Sequence, residues 1–183
     1  GASWTDAVPV LTDAYIPCVI RLRVVLLRDT GSPLSPFNAW QIIQGLETVG
    51  LRMKQHCANA EKVVTFLETQ KKVKNVIFPT NHQGEIKERA KKYLHGGNGA
   101  LVGVDLGTVE AGAKFIDNLK MLYHVANIGD ARSLAIHPAT TTHSQLNEKE
   151  LLAAGVTPGY VRLSIGIEHP EDIISDIKQA LAA

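Results

Sequence analysis

The sequence predicts an α/β fold in which a largely antiparallel sheet packs against helices and follows one long helix. Three observations support this class. Strand-like apolar runs are separated by amphipathic segments with a helical period. Several connections between them are short, which favours antiparallel pairing. A doubly wound parallel sheet would carry a phosphate-binding glycine turn after a strand, and the sequence contains neither GxGxxG nor GxxxxGK(S/T).

The first residues are predicted to be an arm that leads into a helix. Residues 1–15 show little periodicity, whereas apolar residues fill most positions of 16–27, which is typical of a mostly buried helix. The turn-forming residues of 29–33 end that helix. At 183 residues the chain is long enough to fold without disulfides or metals. We therefore predict an arm and connecting helix over 1–35 and a small α/β domain over 36–183.

A long spine helix is predicted next. Ser35 followed by Pro36 is a good helix start, because the hydroxyl caps the first turn and proline suits the first helical position. Apolar residues then recur at helical spacing to about residue 70. At 1.5 Å per residue this helix would be about 50 Å long. Gly45 and Gly50 are weak points at which it could bend.

The rest of the chain alternates between strands and helices. The glycine-rich segment 95–99 precedes a strand and is predicted to be a turn. Thr108 is a predicted helix cap, and Asn147 with Glu150 is predicted to form a capping box. Strands are predicted at 73–79, 99–106 and 160–165, short apolar pieces at 125–128 and 134–136, and helices at 85–94, 109–123, 148–154 and from residue 169 onward. The run at 99–106 has too few polar positions to be an exposed edge strand.

Composition excludes several classes of function. Lys and Arg total 19 against 18 Asp and Glu, and aromatic residues make up 5%, so we predict no nucleic-acid partner. No apolar stretch approaches the ~20 residues of a membrane span, and the first residues do not resemble a signal peptide, so no membrane partner is expected.

The cysteines and histidines indicate neither a metal site nor a nucleophile. Cys18 and Cys57 are far apart and lie in apolar helical surroundings, which is typical of free, inert core thiols in a reducing cytoplasm. His137 and His143 are the nearest pair of histidines, and no HExxH or zinc-type grouping exists. No serine lies in a GxSxG motif. The sequence therefore predicts no metal.

Arg162 is the strongest candidate for a binding residue. It lies within the apolar run 160–165, where an unpaired buried cation would cost several kcal/mol. It would therefore meet an acid elsewhere in the protein or bind a carboxylate ligand. The alternation of Arg162 and Ser164 with apolar residues is equally typical of a half-buried strand whose arginine faces solvent.

A second candidate lies in the segment 127–143, which combines glycine, proline, hydroxyl and histidine residues as a loop lining a cleft would. A serine hydroxyl beside an arginine fork could bind an α-carboxylate through three hydrogen bonds. Ser133 and Arg162 could do so only if the fold brings their strands together. The alternative for Ser133 is a turn serine with internal partners.

Several ordered motifs lie along the chain. They are SPFNA at 35–39 with GLET and LRM behind it, SLAIHPATTTH at 133–143 and VRLSIGIE at 161–168. Together they resemble the Cys/Met-metabolism family of pyridoxal-phosphate enzymes, in which they are similar to the spine-helix region, the substrate loop and the C-terminal signature. With ANIGDA at 126–131, the resemblance is closest to the O-acetylhomoserine sulfhydrylase branch and covers roughly 16–183.

The resemblance implies the small C-terminal domain of a fold-type-I, aminotransferase-like enzyme. It implies that Arg162 binds the α-carboxylate of an amino-acid substrate, with Ser133 close by and the main chain of Leu134 at the same wall. It also implies γ-replacement chemistry, in which sulfide or a thiol replaces acetate and pyridoxal 5'-phosphate supplies the electron sink. A homo-oligomeric parent enzyme is expected.

The sequence departs from the family pattern at the catalytic lysine. The only lysine with a serine three residues before it is Lys178, after Ser175. It lies in the last predicted helix, whereas the family's Schiff-base lysine lies in an upstream large domain. The resemblance therefore implies that an N-terminal, PLP-binding large domain is missing here. We expect no catalytic or cofactor-binding residue in this chain, no covalently bound cofactor and no turnover by the chain alone. Surface meant for the absent domain should favour self-association through residues 16–45.

Two alternatives stay open. A cystathionine γ-synthase or methionine γ-lyase would share the Ser133 and Arg162 motifs, so these motifs do not discriminate between the sister activities. A stand-alone interaction module, binding partners through the apolar 16–27 segment, would have no catalysis at all.

Overall fold

The computed structural model describes residues 17–183 and divides the chain into two compact units, 1–47 and 48–183. The predicted arm over 1–15 lies outside the described residues, as does the side chain of Cys18. The division falls after Glu47, whereas the predicted domain boundary lies between residues 35 and 36.

The described part of the first unit is helical. Helix α1 (Pro17–Arg21) continues as a π-helical segment (Leu22–Leu27) and ends in the short α2 (Arg28–Thr30), after which Gly31 adopts a left-handed φ of 63°. The predicted helix is confirmed, but its predicted burial is wrong. Val19, Leu22 and Leu26 are 43%, 54% and 51% exposed.

The predicted spine helix is two helices rather than one. Helix α3 (Pro36–Glu47) begins as predicted, with the Ser35 hydroxyl accepting a hydrogen bond from the Asn38 amide, and α4 (Val49–Glu68) follows after Thr48. Thr48 leaves the helical region at φ −108° and ψ 3°. The interruption lies between Gly45 and Gly50, where helix propensity is lowest.

The second unit contains all the strands of the described chain. The sequence predicts most of its elements but overestimates their length, because strand and helix ends fray into turns. In chain order the elements after α4 are β1 (Asn75–Ile77), a 3₁₀ turn (Pro79–Asn81), α5 (Gly84–Tyr93), β2 (Leu101–Asp105), α6 (Val109–Asn118), β3 (Tyr123–His124), β4 (Leu134–Ile136), a second 3₁₀ turn (Pro138–Thr140), α7 (Glu148–Ala153), β5 (Tyr160–Ser164) and α8 (Pro170–Ala182).

The strands form one five-stranded sheet in the order β1-β2-β5-β4-β3. All pairs are antiparallel except β3 with β4, so the prediction of a largely antiparallel sheet is confirmed. Strand β2 lies between β1 and β5, which confirms that it is no edge strand.

One face of the sheet forms the hydrophobic core with α4, α6 and α8. Val102, Val104, Val161 and Leu163 are fully buried on that face. Because side chains alternate between faces, the residues between them lie on the other face. Ile77, Gly103, Arg162 and Ile136 are directly paired across four strands and form one row there.

Helix α6 begins as predicted but ends five residues early. The Thr108 hydroxyl accepts from the Ala111 amide at its start. Beyond its end, the carboxylate of Asp176 on α8 accepts hydrogen bonds from the amides of residues 120, 121 and 122. A carboxylate that binds three successive amides holds them in a turn, so the helix predicted to reach residue 123 stops at Asn118.

Two local predictions are confirmed. Asn147 and Glu150 form the capping box at the start of α7, with the Asn147 side chain accepting from two amides and the Glu150 carboxylate accepting from the Asn147 amide. Residues 95–99 form a bend followed by irregular backbone before β2 and open no helix.

Among the helices within 17–183, none is long and apolar enough to cross a membrane.

Candidate functional site

Arg162 lies at the centre of the sheet, on β5 between β2 and β4, and is half-buried. Its Nη2 donates one long hydrogen bond of 3.4 Å to the carbonyl oxygen of Asn127, whereas its Nε is buried without a partner. Within residues 17–183 no aspartate or glutamate forms an ion pair with it. The acid partner considered from the sequence is therefore not found in the described chain.

The guanidinium lines an open groove of about 480 Å³ between α5 and the face of the sheet opposite the core. Most of its wall is apolar, and Ile86 and Leu101 in it are 52% and 41% exposed. Tyr160 lies beside Arg162 on the same strand face. Burial raises the pKa of the Tyr160 hydroxyl, and the charge of Arg162 opposes that rise only in part. The hydroxyl is therefore a neutral donor at physiological pH.

Ser133 immediately precedes β4, next to β5, and is fully buried. Its hydroxyl donates to Glu168 Oε2 at 2.9 Å and accepts from the Gly166 amide at 2.9 Å. Its own amide donates to Glu168 Oε1 at 2.6 Å. The fold thus brings the strands of Ser133 and Arg162 together, while the Ser133 hydroxyl is already held by internal partners.

Leu134 opens β4 and is 3% exposed. It is paired with Ser164 of β5 and with Tyr123 of β3. Its side chain therefore contributes to packing on the Arg162 face. The roles of Ser133, Leu134 and Arg162 at a substrate carboxylate stay predictions.

Sequence reasoning missed a buried polar network that holds the turn between β5 and α8. Asn59 of α4 is fully buried, and its Nδ2 donates to the carbonyl oxygens of Gly166 and Glu168 at 3.0 and 2.8 Å. His56, one helical turn earlier, donates from Nδ1 to the carbonyl oxygen of Ile165 at 2.6 Å. A signal was present in the sequence: both polar residues fall within the apolar, helix-period stripe of α4.

Cys57 and His137 have structural roles. Cys57 is buried as a free thiol, as predicted, and packs against Gly97. His137 is buried, donates from Nε2 to the carbonyl oxygen of Pro158 and accepts at Nδ1 from the Thr140 hydroxyl. No cluster of three or more potential metal ligands occurs in the part of the chain that the structure describes.

Comparison with known proteins decides the family. The profile of the Cys/Met metabolism PLP-dependent enzymes matches residues 10–182. The chain belongs to this family. The spine, loop and C-terminal motifs that predicted it all lie within the matched range.

The similar proteins are sulfhydrylases and lyases of the same family. The chain is 51% identical over 168 residues to the O-acetyl-L-homoserine sulfhydrylase of Leptospira meyeri, covering 91% of this chain and 38% of that protein. It is 44% identical to O-acetyl-L-homoserine sulfhydrylase 1 of Thermus thermophilus, over 94% of this chain and 42% of that protein. A crystal structure from Campylobacter jejuni matches with a TM-score of 0.84 and 40% identity, over 94% of this chain and 42% of the solved chain. It is described as an O-acetylhomoserine (thiol)-lyase with N'-pyridoxyl-lysine-5'-monophosphate.

The chain spans about two fifths of the length of these relatives. It therefore corresponds to one part of a family enzyme, with the α/β fold predicted for the small domain.

The residues of the groove do not by themselves suit pyridoxal phosphate. The cofactor's aldehyde is attached through a lysine amine in enzymes that use it. The groove has Arg162, Arg89 and His82 as its basic residues, and no lysine lines it in the described chain. We therefore derive no step through the cofactor from these residues.

Proposed function

We propose that this chain is the substrate-carboxylate-binding part of an O-acetylhomoserine sulfhydrylase. In the reaction of the whole protein, the bond between the γ-carbon and the acetoxy oxygen breaks and acetate leaves. Sulfide forms the new carbon–sulfur bond, and homocysteine results. The names of the similar proteins support this reaction over those of the sister enzymes.

The observation that carries the proposal is the state of Arg162. A half-buried guanidinium has a buried Nε without an acceptor, one long bond to a carbonyl and no ion pair with a described residue. Leaving such a cation unpaired is costly unless a ligand completes it. A carboxylate fits, because it can accept two parallel hydrogen bonds from the planar fork. Ser133 and Leu134 border the same strand pair and are proposed to support that binding.

The proposal requires more protein than these residues. We propose that a further, N-terminal domain provides the lysine and the phosphate site for pyridoxal phosphate, that the whole enzyme is a cytoplasmic homo-oligomer, and that residues 1–183 alone do not turn over substrate. Exposed apolar side chains on α3 and at the start of α4 support contact with other protein, since Trp40 is 55% and Leu51 75% exposed. The buried free thiol of Cys57 suits a reducing compartment.

The test replaces Arg162 by lysine in the whole enzyme. Lysine keeps the charge but loses the fork, so at least one charge-assisted hydrogen bond is lost, worth about 1.5–3 kcal/mol. The KM for O-acetylhomoserine should rise by about 10- to 150-fold, while the KM for sulfide stays the same. Steady-state kinetics with each substrate varied in turn measures both.

Arg132→Lys is the matched control. Arg132 is exposed, and its guanidinium lies 3.8 Å from Asp130 and 4.4 Å from the centre of the Tyr123 ring, so its replacement should leave both KM values unchanged. An Arg162→Lys enzyme with an unaltered KM for O-acetylhomoserine would refute the carboxylate assignment. Turnover of cystathionine or methionine in preference to O-acetylhomoserine plus sulfide would instead assign the protein to a sister activity.

A further inference from the structure

Tyr160 presents a second polar group to the groove that Arg162 lines. The two residues are two positions apart on β5 and therefore lie on the same face of the sheet. Both line the groove between the sheet and α5. Tyr160 is half-buried, so its ring has a defined place in the wall of the groove.

Gly103 makes room for that ring. It is the residue of β2 directly opposite Arg162. A Cβ at this position would lie 2.6 Å from Cε2 of Tyr160, closer than real Cβ atoms approach, and 3.0 Å from its hydroxyl oxygen, which is a tight contact. Directly opposite residues in an antiparallel pair have Cβ atoms about 4.5–5.5 Å apart. The Tyr160 ring thus covers the place of the missing side chain beside Arg162.

The Tyr160 hydroxyl makes no hydrogen bond to another residue of the described chain. In the part of the chain that the structure describes, the hydrogen bond of Tyr160 is made by its amide, to the carbonyl oxygen of Thr157, and none is made by its hydroxyl. The buried Nε of Arg162 also lacks an acceptor. Two donors without protein acceptors therefore line one groove, on neighbouring positions of one strand face.

We propose that the Tyr160 hydroxyl is a second donor to the α-carboxylate that Arg162 binds, which makes Tyr160 a specificity-determining residue for that group. This inference rests on the proposed function. A carboxylate has two oxygens with about four acceptor positions, so it can bind the guanidinium and a phenolic hydroxyl together. Because the hydroxyl stays neutral, it adds a donor without adding charge.

The experiment is a double-mutant cycle in the whole enzyme with Tyr160→Phe, Arg162→Lys and the double variant. Tyr160→Phe keeps the ring over Gly103 and removes only the hydroxyl. We expect it to raise the KM for O-acetylhomoserine by about tenfold, the effect of losing a hydrogen bond to a charged group, with kcat within twofold. If both donors bind one carboxylate, the two substitutions should not act independently. The fold-increase in KM of the double variant should then be at least threefold smaller than the product of the fold-increases of the two single variants.

Tyr123→Phe is the control, since Tyr123 is 50% exposed and stacks under Arg132. Gly103→Ala displaces the Tyr160 ring and should raise the same KM. An unchanged KM in Tyr160→Phe, or single effects that multiply fully, would overturn the assignment of Tyr160. If Arg162→Lys raises the KM and Tyr160→Phe does not, only this inference fails. If neither variant raises it, the proposed function fails as well.

Discussion

Replacing Asn59 by alanine should destabilise the protein more than any single change on its surface. The Asn59 side chain is fully buried and donates to two carbonyl oxygens, those of Gly166 and Glu168. Alanine would remove the donor from both carbonyls, of which that of Gly166 is buried and that of Glu168 is part-buried. Each carbonyl left without a hydrogen bond costs about 1–3 kcal/mol, so the free energy of unfolding should fall by about 2–6 kcal/mol. The free energy of unfolding of a folded protein is only about 5–15 kcal/mol in total.

The assay is equilibrium unfolding of the protein in urea, with thermal unfolding beside it. A loss of about 4 kcal/mol should lower the thermal midpoint by roughly 8–16 °C in a domain of this size. The urea midpoint should fall without a change in slope, because the surface exposed on unfolding stays the same.

Asn98→Ala is the matched control for Asn59→Ala. The Asn98 side chain also donates one hydrogen bond to protein, to Glu61 Oε1 at 3.1 Å, but that bond is exposed. Its removal should change stability by less than about 0.5 kcal/mol. The reasoning would be refuted if Asn59→Ala were as mild as the control, because the two carbonyls would then be solvated in some other way.

Two further predictions concern the same unit. Gly166→Ala should lower the free energy of unfolding by about 3 kcal/mol or more. The added Cβ would collide with the Ala131 carbonyl oxygen and lie 2.6 Å from the backbone of Arg132. Thermal unfolding measures the effect, and Gly96→Ala is the control because the space around Gly96 is open. Burial would raise the pKa of Asp176, but hydrogen bonds from three backbone amides and a glutamine outweigh it and lower that pKa. The stabilisation is therefore complete above the unfolded-state pKa of about 3.9 and is lost as pH falls below it, so Asp176→Asn should destabilise at pH 7 and match the parent more closely near pH 3 in urea titrations.

Local signals in the sequence predict much of this fold. The α7 capping box, the Thr108 cap and the apolar alternation of β5 are each encoded within a few residues. Where prediction fails, the cause lies far away in the chain. Helix α6 stops short because of a carboxylate 56 residues downstream of Lys120. No local pattern can encode such a partner.

The residues of the candidate site also divide into those that a local pattern predicts and those whose contacts depend on distant parts of the chain. The sequence predicts Arg162 as the important cation, because a charge in an apolar strand needs a partner. It leaves open what surrounds Ser133, whose hydroxyl binds Glu168, 35 residues away. The likeness of 161–168 to a family signature includes Glu168 but does not show that its carboxylate is directed at Ser133. Only the pairing of β4 with β5 brings the two together.

The effects of the buried polar network and of Arg162 should be separable by experiment. The network affects Arg162 only by fixing the register of β5 in the sheet. A shift of one residue in β5 would move Arg162 to the core face and Leu163 to the groove. Asn59 and His56 donate hydrogen bonds to carbonyl oxygens in residues 165–168, and the Ser133 hydroxyl accepts one from the Gly166 amide. These bonds hold the segment that follows β5 and so oppose that shift. Asn59→Ala should therefore lower stability first and affect substrate binding only near its unfolding transition. Arg162→Lys should change the KM while unfolding stays that of the parent protein.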